Sequence, residues 1–260
     1  ARAIEAAKRP VLVIGPEVDG HGAGDAAVAL AERIRAPVWA SPFSSRVSFP
    51  EQHPLFAGFL PAAPQPIAAT LGAHDLVVVL GAPVFTFHVA GDCDLFRSDT
   101  QLFQITTDGE AAASAPIGTG IVGSLRLALP ALAKLLPASD RAMPPPRLRV
   151  ETPAARNPIP AEFLLHAISA TMPADAIVVE EAPSHRPALQ RHLPIRGFGQ
   201  FYTMASGGPG YGLPAAVGVA LAKPDRRTIC IIGDGSLMYS IQALWTAAQH
   251  RLPLSVIVLN

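Results

Sequence analysis

The chain has 260 residues, half of them apolar and only 15% charged, with 20 basic residues balanced by 20 acidic ones. That length suits one or two domains with a sizeable core, and the balanced charge gives no field that would attract nucleic acid or an anionic membrane. Two cysteines, Cys93 and Cys230, are too few for a disulfide framework, and no run reaches the roughly 18 apolar residues a membrane span requires, so a cytoplasmic enzyme of small-molecule chemistry is expected.

The chain opens on Ala1-Arg-Ala-Ile-Glu-Ala-Ala-Lys8, which reads as the tail of a helix and not as a signal peptide. It closes on the last residue of a strand, and a fragment of a longer protein is expected. Pro10-Val-Leu-Val-Ile-Gly15 predicts a short strand, and residues 25–35 predict a helix with Val28, Leu30, Ala31 and Ile34 at helical spacing. Pro37–Ala40 reads as a strand, residues 41–61 as a long loop rich in Pro, Phe and Ser, and a helix is expected around Ile67–Leu71. Strands follow at Asp75–Gly81, Gln101–Thr106 and Gly120–Val122, then a helix at Leu125–Leu136. Alternating strands and helices imply an α/β fold with a doubly wound parallel sheet. Gly15-Pro-Glu-Val-Asp-Gly20 is no G-x-G-x-x-G, and its proline and charges make a poor phosphate cradle. Residues 1–137 are therefore expected to be a Rossmann-like domain without a nucleotide. Gly81-Ala-Pro-Val-Phe-Thr-Phe-His88 runs past the end of a buried strand, which brings a titratable group, His88, to the edge of the sheet where ligands bind. His21, His53, His74 and His250 read as solvated, and His185 and His192 as surface residues.

Residues 138–160 are proline-rich, aperiodic and poor in apolar side chains, and are expected to be an extended linker. A second doubly wound domain, residues 161–260, should follow, with a helix at Ala161–Met172, a strand at Ala176–Glu180 and a helix at Gly212–Ala222. Glycines 207, 208, 210 and 212 read either as a flexible loop or as a close approach of backbone to a ligand. Their place just before a helix at the sheet edge favours the approach. Thr228–Gly233 is a buried-strand pattern ending on Gly233-Asp234-Gly235, which is either a hairpin turn or a ligand-binding turn. Residues 237–249 have helical and not alternating periodicity, with Ile241, Leu244, Trp245 and Ala248 on one stripe, and this disfavours the hairpin. A last strand, Leu254–Asn260, then lies parallel to the first, so Asp234 and Asn260 meet at one sheet edge. A carboxylate, a second oxygen donor and a helix opened by Gly235-Ser236 suit Mg²⁺ together with a phosphate group.

Gly233-Asp234-Gly235, followed at a distance by Asn260, resembles the signature of thiamine-diphosphate-dependent enzymes. Ala205-Ser-Gly-Gly-Pro-Gly-Tyr-Gly-Leu-Pro-Ala-Ala216 resembles their glycine-rich segment, and Ser240-Ile-Gln-Ala-Leu-Trp-Thr-Ala-Ala248 is similar to the benzoylformate decarboxylases. The resemblance covers essentially the whole chain and implies a middle domain plus a truncated pyrophosphate-binding domain. It further implies thiamine diphosphate and Mg²⁺ as cofactors, non-oxidative decarboxylation of a 2-keto acid to an aldehyde, and a homotetramer with active sites shared between subunits. On that likeness Asp234 is the metal ligand, and Gly207, Gly208, Pro209, Asp234, Gly235, Ser236 and Tyr239 bind the cofactor, the Gly207 carbonyl accepting from its amino group. His88 moves protons in catalysis. Pro209 stands where the family has a bulky aliphatic wedge, and Thr203 where benzoylformate decarboxylases have a pocket phenylalanine. The alternatives are an acetolactate-synthase-type carboligase and, in another class, a non-catalytic nucleotide-binding or interaction module.

Overall fold

Pro10–Ile14 (β1) and Leu76–Leu80 (β4) are buried at every residue, which explains why both read as unbroken apolar runs. They are the centre of a six-stranded sheet in a computed structural model that describes residues 1–91, 93–148 and 150–260. The chain forms two units, Ala1–Arg147 and Leu148–Asn260.

In the first unit α1 (Arg2–Ala6) precedes β1, followed by α2 (Pro16–Gly20), α3 (Gly24–Ile34), β2 (Val38–Ala40), β3 (Phe56–Phe59), α4 (Pro64–Leu71) and β4. β5 (Gln101–Thr106), α5 (Gly109–Ala113), β6 (Thr119–Val122) and α6 (Leu125–Leu135) complete it. The strand order is β3-β2-β1-β4-β5-β6, every pairing parallel, so the expected doubly wound sheet is present. The core face of α3 is Ala27, Leu30, Ala31 and Ile34, with Val28 only half-buried, one position off the predicted stripe. Three elements of this unit escaped the sequence, as did a helix at Arg186–His192 and a strand at Phe201–Thr203 in the second unit. β3 lies inside the expected loop of residues 41–61, because Phe-Ala-Gly-Phe lacks β-branched residues; Gly58, at φ 141°, admits the Trp39 ring, and a Cβ there would stand 3.0 Å from it. α2 begins on Pro16, and α5 is capped by the Asp108 carboxylate, which accepts from the amides of Glu110 and Ala111 at 2.9 and 3.0 Å.

The strand order reverses between β1 and β4, where a dinucleotide would lie in such a fold. Here a Cβ on Gly15 would collide with that of Ala82, and the Glu17 carboxylate spans the edge to accept from the Thr107 amide at 2.8 Å and its hydroxyl at 2.7 Å.

Residues 138–160 form no helix or strand among the described residues; Arg149 of this stretch lies outside them. Its first part is bound to the first unit. The Arg141 guanidinium donates to the carbonyls of Ile4 and Ala7 at 2.7 Å each, and that of Arg147 lies 5.7 Å from the ring centroids of Phe56 and Phe59.

The second unit runs α7 (Ala161–Thr171), β7 (Ile177–Glu181), a 3₁₀ turn (Pro183–His185), α8 (Arg186–His192), β8 (Phe201–Thr203), α9 (Gly212–Ala222), β9 (Thr228–Gly233), α10 (Asp234–Met238), α11 (Ala243–Gln249) and β10 (Leu254–Leu259). Its sheet is β10-β9-β7-β8, again parallel. Val179, Cys230 and Ile232 pack on Leu213 and Ala216 of α9. The helix expected over residues 237–249 is two short helices, broken at Tyr239–Gln242. The stripe Ile241, Leu244 and Trp245 is exposed (Trp245 71%), while Leu237 and Ala243 face the core. Periodicity identifies residues that share a face, not what covers it. His192, read as a surface residue, is buried at the end of α8, and that burial lowers its pKa.

Candidate functional site

The carboxyl ends of β7 and β9 build the site in the second unit. β7 ends on Glu180 and Glu181, both wholly buried and both bonded. Glu180 accepts from the Ala182 amide at 2.6 Å and the Thr203 hydroxyl at 2.9 Å, and pairs with the Arg186 guanidinium at 2.5 Å. Arg186 also donates to the Thr203 hydroxyl. Thr203 is thus turned inward, with both hydrogen-bonding functions of its hydroxyl used.

Glu181 faces the other way, toward the glycine-rich loop. Its two oxygens accept from the amides of Gly210 at 2.7 Å and Gly212 at 2.5 Å. Gly212 must be glycine here, since a Cβ would stand 2.7 Å from that of Glu181. Gly210 has φ 93°, and a Cβ on it would lie 3.2 Å from the Cβ of Tyr239. The loop therefore rests on Glu181 from one side and on Tyr239 from the other, while additions at Gly207 or Gly235 would meet nothing within 4 Å.

Next to this loop, β9 ends at Gly233, which pairs with Leu259 of β10. Asp234 and Asn260 therefore leave adjacent strands at the same edge, as the crossover predicted. α10 starts at Asp234, and no side chain caps it. At the start of α9, by contrast, Glu181 takes the amide of Gly212 and, just ahead of the helix, that of Gly210, whereas no side chain caps the first turn of α10, whose amides face an incoming anion. Beneath this edge, burial and then the charges of Glu181 and Glu180 push the Cys230 thiol up to about 12.

A diphosphate with a divalent cation fits these residues. Asp234 is an exposed carboxylate, the Gly235 and Ser236 amides follow it, and the glycines leave open space in front. Among the described residues no group of three or more His, Cys, Asp or Glu could hold a metal ion, so a cation here would draw on Asp234, neutral oxygens and the ligand's own phosphate oxygens, as Mg²⁺ commonly does.

Gly207, Gly208, Pro209, Asp234, Gly235, Ser236 and Tyr239 all belong to this second-unit edge. His88 belongs to the first unit. It follows the β4 edge, donates its amide to the Ala62 carbonyl at 2.9 Å, and packs its exposed ring 4.1 Å from that of Phe43. A cavity of about 460 Å³ lies beside it, lined by Pro64, Phe87, His88, Cys93, Leu95 and Pro116 among others.

Residues 1–132 match the family model of the thiamine pyrophosphate enzyme central domain, and residues 182–260 match that of the C-terminal TPP-binding domain. The chain belongs to the thiamine pyrophosphate enzyme family. It is 44% identical over 258 residues to a benzoylformate decarboxylase of Pseudomonas aeruginosa, covering 97% of this chain and 48% of that protein. It is 30% identical over 287 residues to the acetolactate synthase isozyme 1 large subunit of Escherichia coli, covering all of this chain and 47% of that protein. A solved thiamine-diphosphate-dependent 4-hydroxybenzoylformate decarboxylase of Rhodococcus jostii superposes with a TM-score of 0.95 at 43% identity, over 100% of this chain and 49% of that one. A benzoylformate decarboxylase of Polynucleobacter necessarius gives 0.96 at 34%, over 99% and 49%. The chain thus spans about half the length of these relatives. The resemblance and the fold class read from the sequence are both borne out.

Glu181 was missed as a candidate. The available signal was a pair of carboxylates, Glu180-Glu181, closing an otherwise apolar strand at a sheet edge, where unpaired burial would be too costly to tolerate.

Proposed function

We propose that the full-length protein is a thiamine-diphosphate- and Mg²⁺-dependent decarboxylase of aromatic or branched 2-keto acids, releasing CO₂ and an aldehyde. The observation that carries this reading is the Asp234 turn, open at the α10 end and set beside Asn260, in a chain 44% identical to a benzoylformate decarboxylase over nearly its whole length.

In this reading residues 1–137 are the middle domain, 138–160 the linker and 161–260 the pyrophosphate-binding domain. When bound, thiamine diphosphate supplies the electron sink for the pair released as CO₂ leaves. The protein's share is to bind, orient and move protons. Asp234 holds Mg²⁺, the Gly235 and Ser236 amides take the diphosphate charge, and the Gly207 carbonyl accepts from the cofactor's amino group. Gly208, Pro209 and Tyr239 line its seat. His88 handles a proton at the reacting carbon or its oxygen. The enzyme is a cytoplasmic homotetramer whose sites are shared between subunits; no helix among the described residues is long and apolar enough to cross a membrane.

The carboligase reading has the 30% identity to acetolactate synthase in its favour. Against a flavin-dependent form of it stands the strand-reversal edge of the first sheet, which the Glu17 carboxylate crosses to bond Thr107. Assaying the full-length enzyme for CO₂ from a panel of 2-keto acids, and for acetolactate from pyruvate, separates the two.

A further inference from the structure

Two adjacent carboxylates close β7, yet they do different things. Glu180 is used up inside its own corner by Ala182, Thr203 and Arg186. Glu181 reaches out of the sheet and joins three pieces of the site. Its oxygens hold the amides of Gly210 and Gly212, its backbone pairs with β9 opposite Ile232, one residue short of the Gly-Asp-Gly turn, and the loop it holds lies against Tyr239 beyond α10. Those two amides stand at the N-terminal end of the eleven-residue α9, whose N-cap position, Tyr211, offers no side-chain cap of its own. A buried carboxylate that accepts one N–H on each oxygen fixes both distance and orientation, because each bond is charge-assisted and water is excluded.

We propose that Glu181 is the positioning residue of the cofactor-binding loop: it sets the separation between Gly207–Pro209 and the Asp234 turn to the one thiamine diphosphate requires. The inference rests on the cofactor reading above. Glu181 touches neither cofactor nor substrate in this role; it acts through Gly210 and Gly212. The glycines at 210 and 212 are the counterpart of the same device, one needed for its left-handed backbone and the other for the 2.7 Å approach. Glu181→Gln keeps the shape but sets an NH₂ donor against one of the two N–H groups. Glu181→Asp keeps both acceptors on a stem one methylene shorter.

The test is a titration of the full-length apoenzyme with thiamine diphosphate at saturating Mg²⁺, followed by tryptophan fluorescence, alongside the melting temperature of each apoenzyme. The Gln variant is expected to raise Kd by about tenfold or more, where tenfold is about 1.4 kcal/mol, and the Asp variant to fall between it and wild type. A residue serving stability alone would lower the apoenzyme melting temperature and leave Kd unchanged, so a Gln variant with a Kd within twofold of wild type overturns the proposal. If the Gln variant does not fold, the Asp variant decides: a Kd raised about threefold or more supports the proposal, and a smaller change overturns it. A wild-type enzyme that binds no thiamine diphosphate overturns the cofactor reading itself and this proposal with it, which distinguishes the two failures.

Discussion

Leu259 lies directly opposite Gly233 in the parallel pairing of β10 with β9, so Asn260 emerges beside Asp234 although a whole helical crossover separates them in the chain. This register places Asp234 and Asn260 at one edge, where α10 begins without a side-chain cap. Asp234 is the one negative charge the Gly-Asp-Gly turn offers a cation. Asp234→Ala in the full-length enzyme should therefore abolish cofactor retention, raising the Kd for thiamine diphosphate with Mg²⁺ by at least about 100-fold, beyond the cost of losing an outer-shell partner. Asp234→Asn, which keeps one oxygen, should be milder. Thiochrome fluorescence after gel filtration measures the retained cofactor, and tight retention by the Ala variant would refute the metal assignment.

Two glycines of α9 should respond oppositely to alanine. At Gly212 the new Cβ collides with Glu181, and overpacking of this kind costs about 1–3 kcal/mol. At exposed Gly218 nothing lies within 4 Å, so the change should stabilise by about 0.5–1 kcal/mol through helix propensity and a less flexible unfolded chain. Urea unfolding of both variants checks the pair; equal effects would mean that the Glu181 contact is not as close as described.

Cys230 should make stability fall at alkaline pH. Its thiol ionises at about 12 in the fold against an ordinary value of 9.0, so the unfolded chain loses the proton first. The stabilisation is complete below pH 9.0 and is lost as pH rises toward 12, at up to about 1.4 kcal/mol per pH unit. Comparing wild type with Cys230→Ala by urea unfolding between about pH 8 and pH 10.5 isolates the contribution; a parallel pH dependence in both would contradict it.

His88→Ala should lower kcat by about 10²–10⁴, the usual worth of a positioned acid or base, while leaving the Kd for thiamine diphosphate near wild type. Stopped-flow decarboxylation and a cofactor titration give the two numbers. An unchanged kcat would return His88 to an ordinary exposed histidine with its ring tilted against that of Phe43.

Much of this architecture was legible because the buried parallel strands are unbroken apolar runs: Leu76–Leu80, Gln101–Thr106 and Thr228–Gly233 fall within a residue of their expected bounds. Elements without such a run were not. Phe56–Phe59 is a strand by tertiary pairing with β2 and not by propensity, and the break at Tyr239–Gln242 interrupts a stretch whose periodicity reads as continuous. Residue types announced the Asp234 turn and the glycine-rich loop. The clamp between them was hidden, because Glu181 meets Gly210 and Gly212 only across the sheet edge, and the sequence carries no spacing that encodes that encounter.

The most direct test of the account is CO₂ release from benzoylformate by the full-length apoenzyme before and after addition of thiamine diphosphate and Mg²⁺. The account predicts no turnover without the cofactors, and stoichiometric CO₂ and benzaldehyde once both are added. No CO₂ from benzoylformate or from any branched 2-keto acid under saturating cofactor, with acetolactate formed from pyruvate instead, would contradict it.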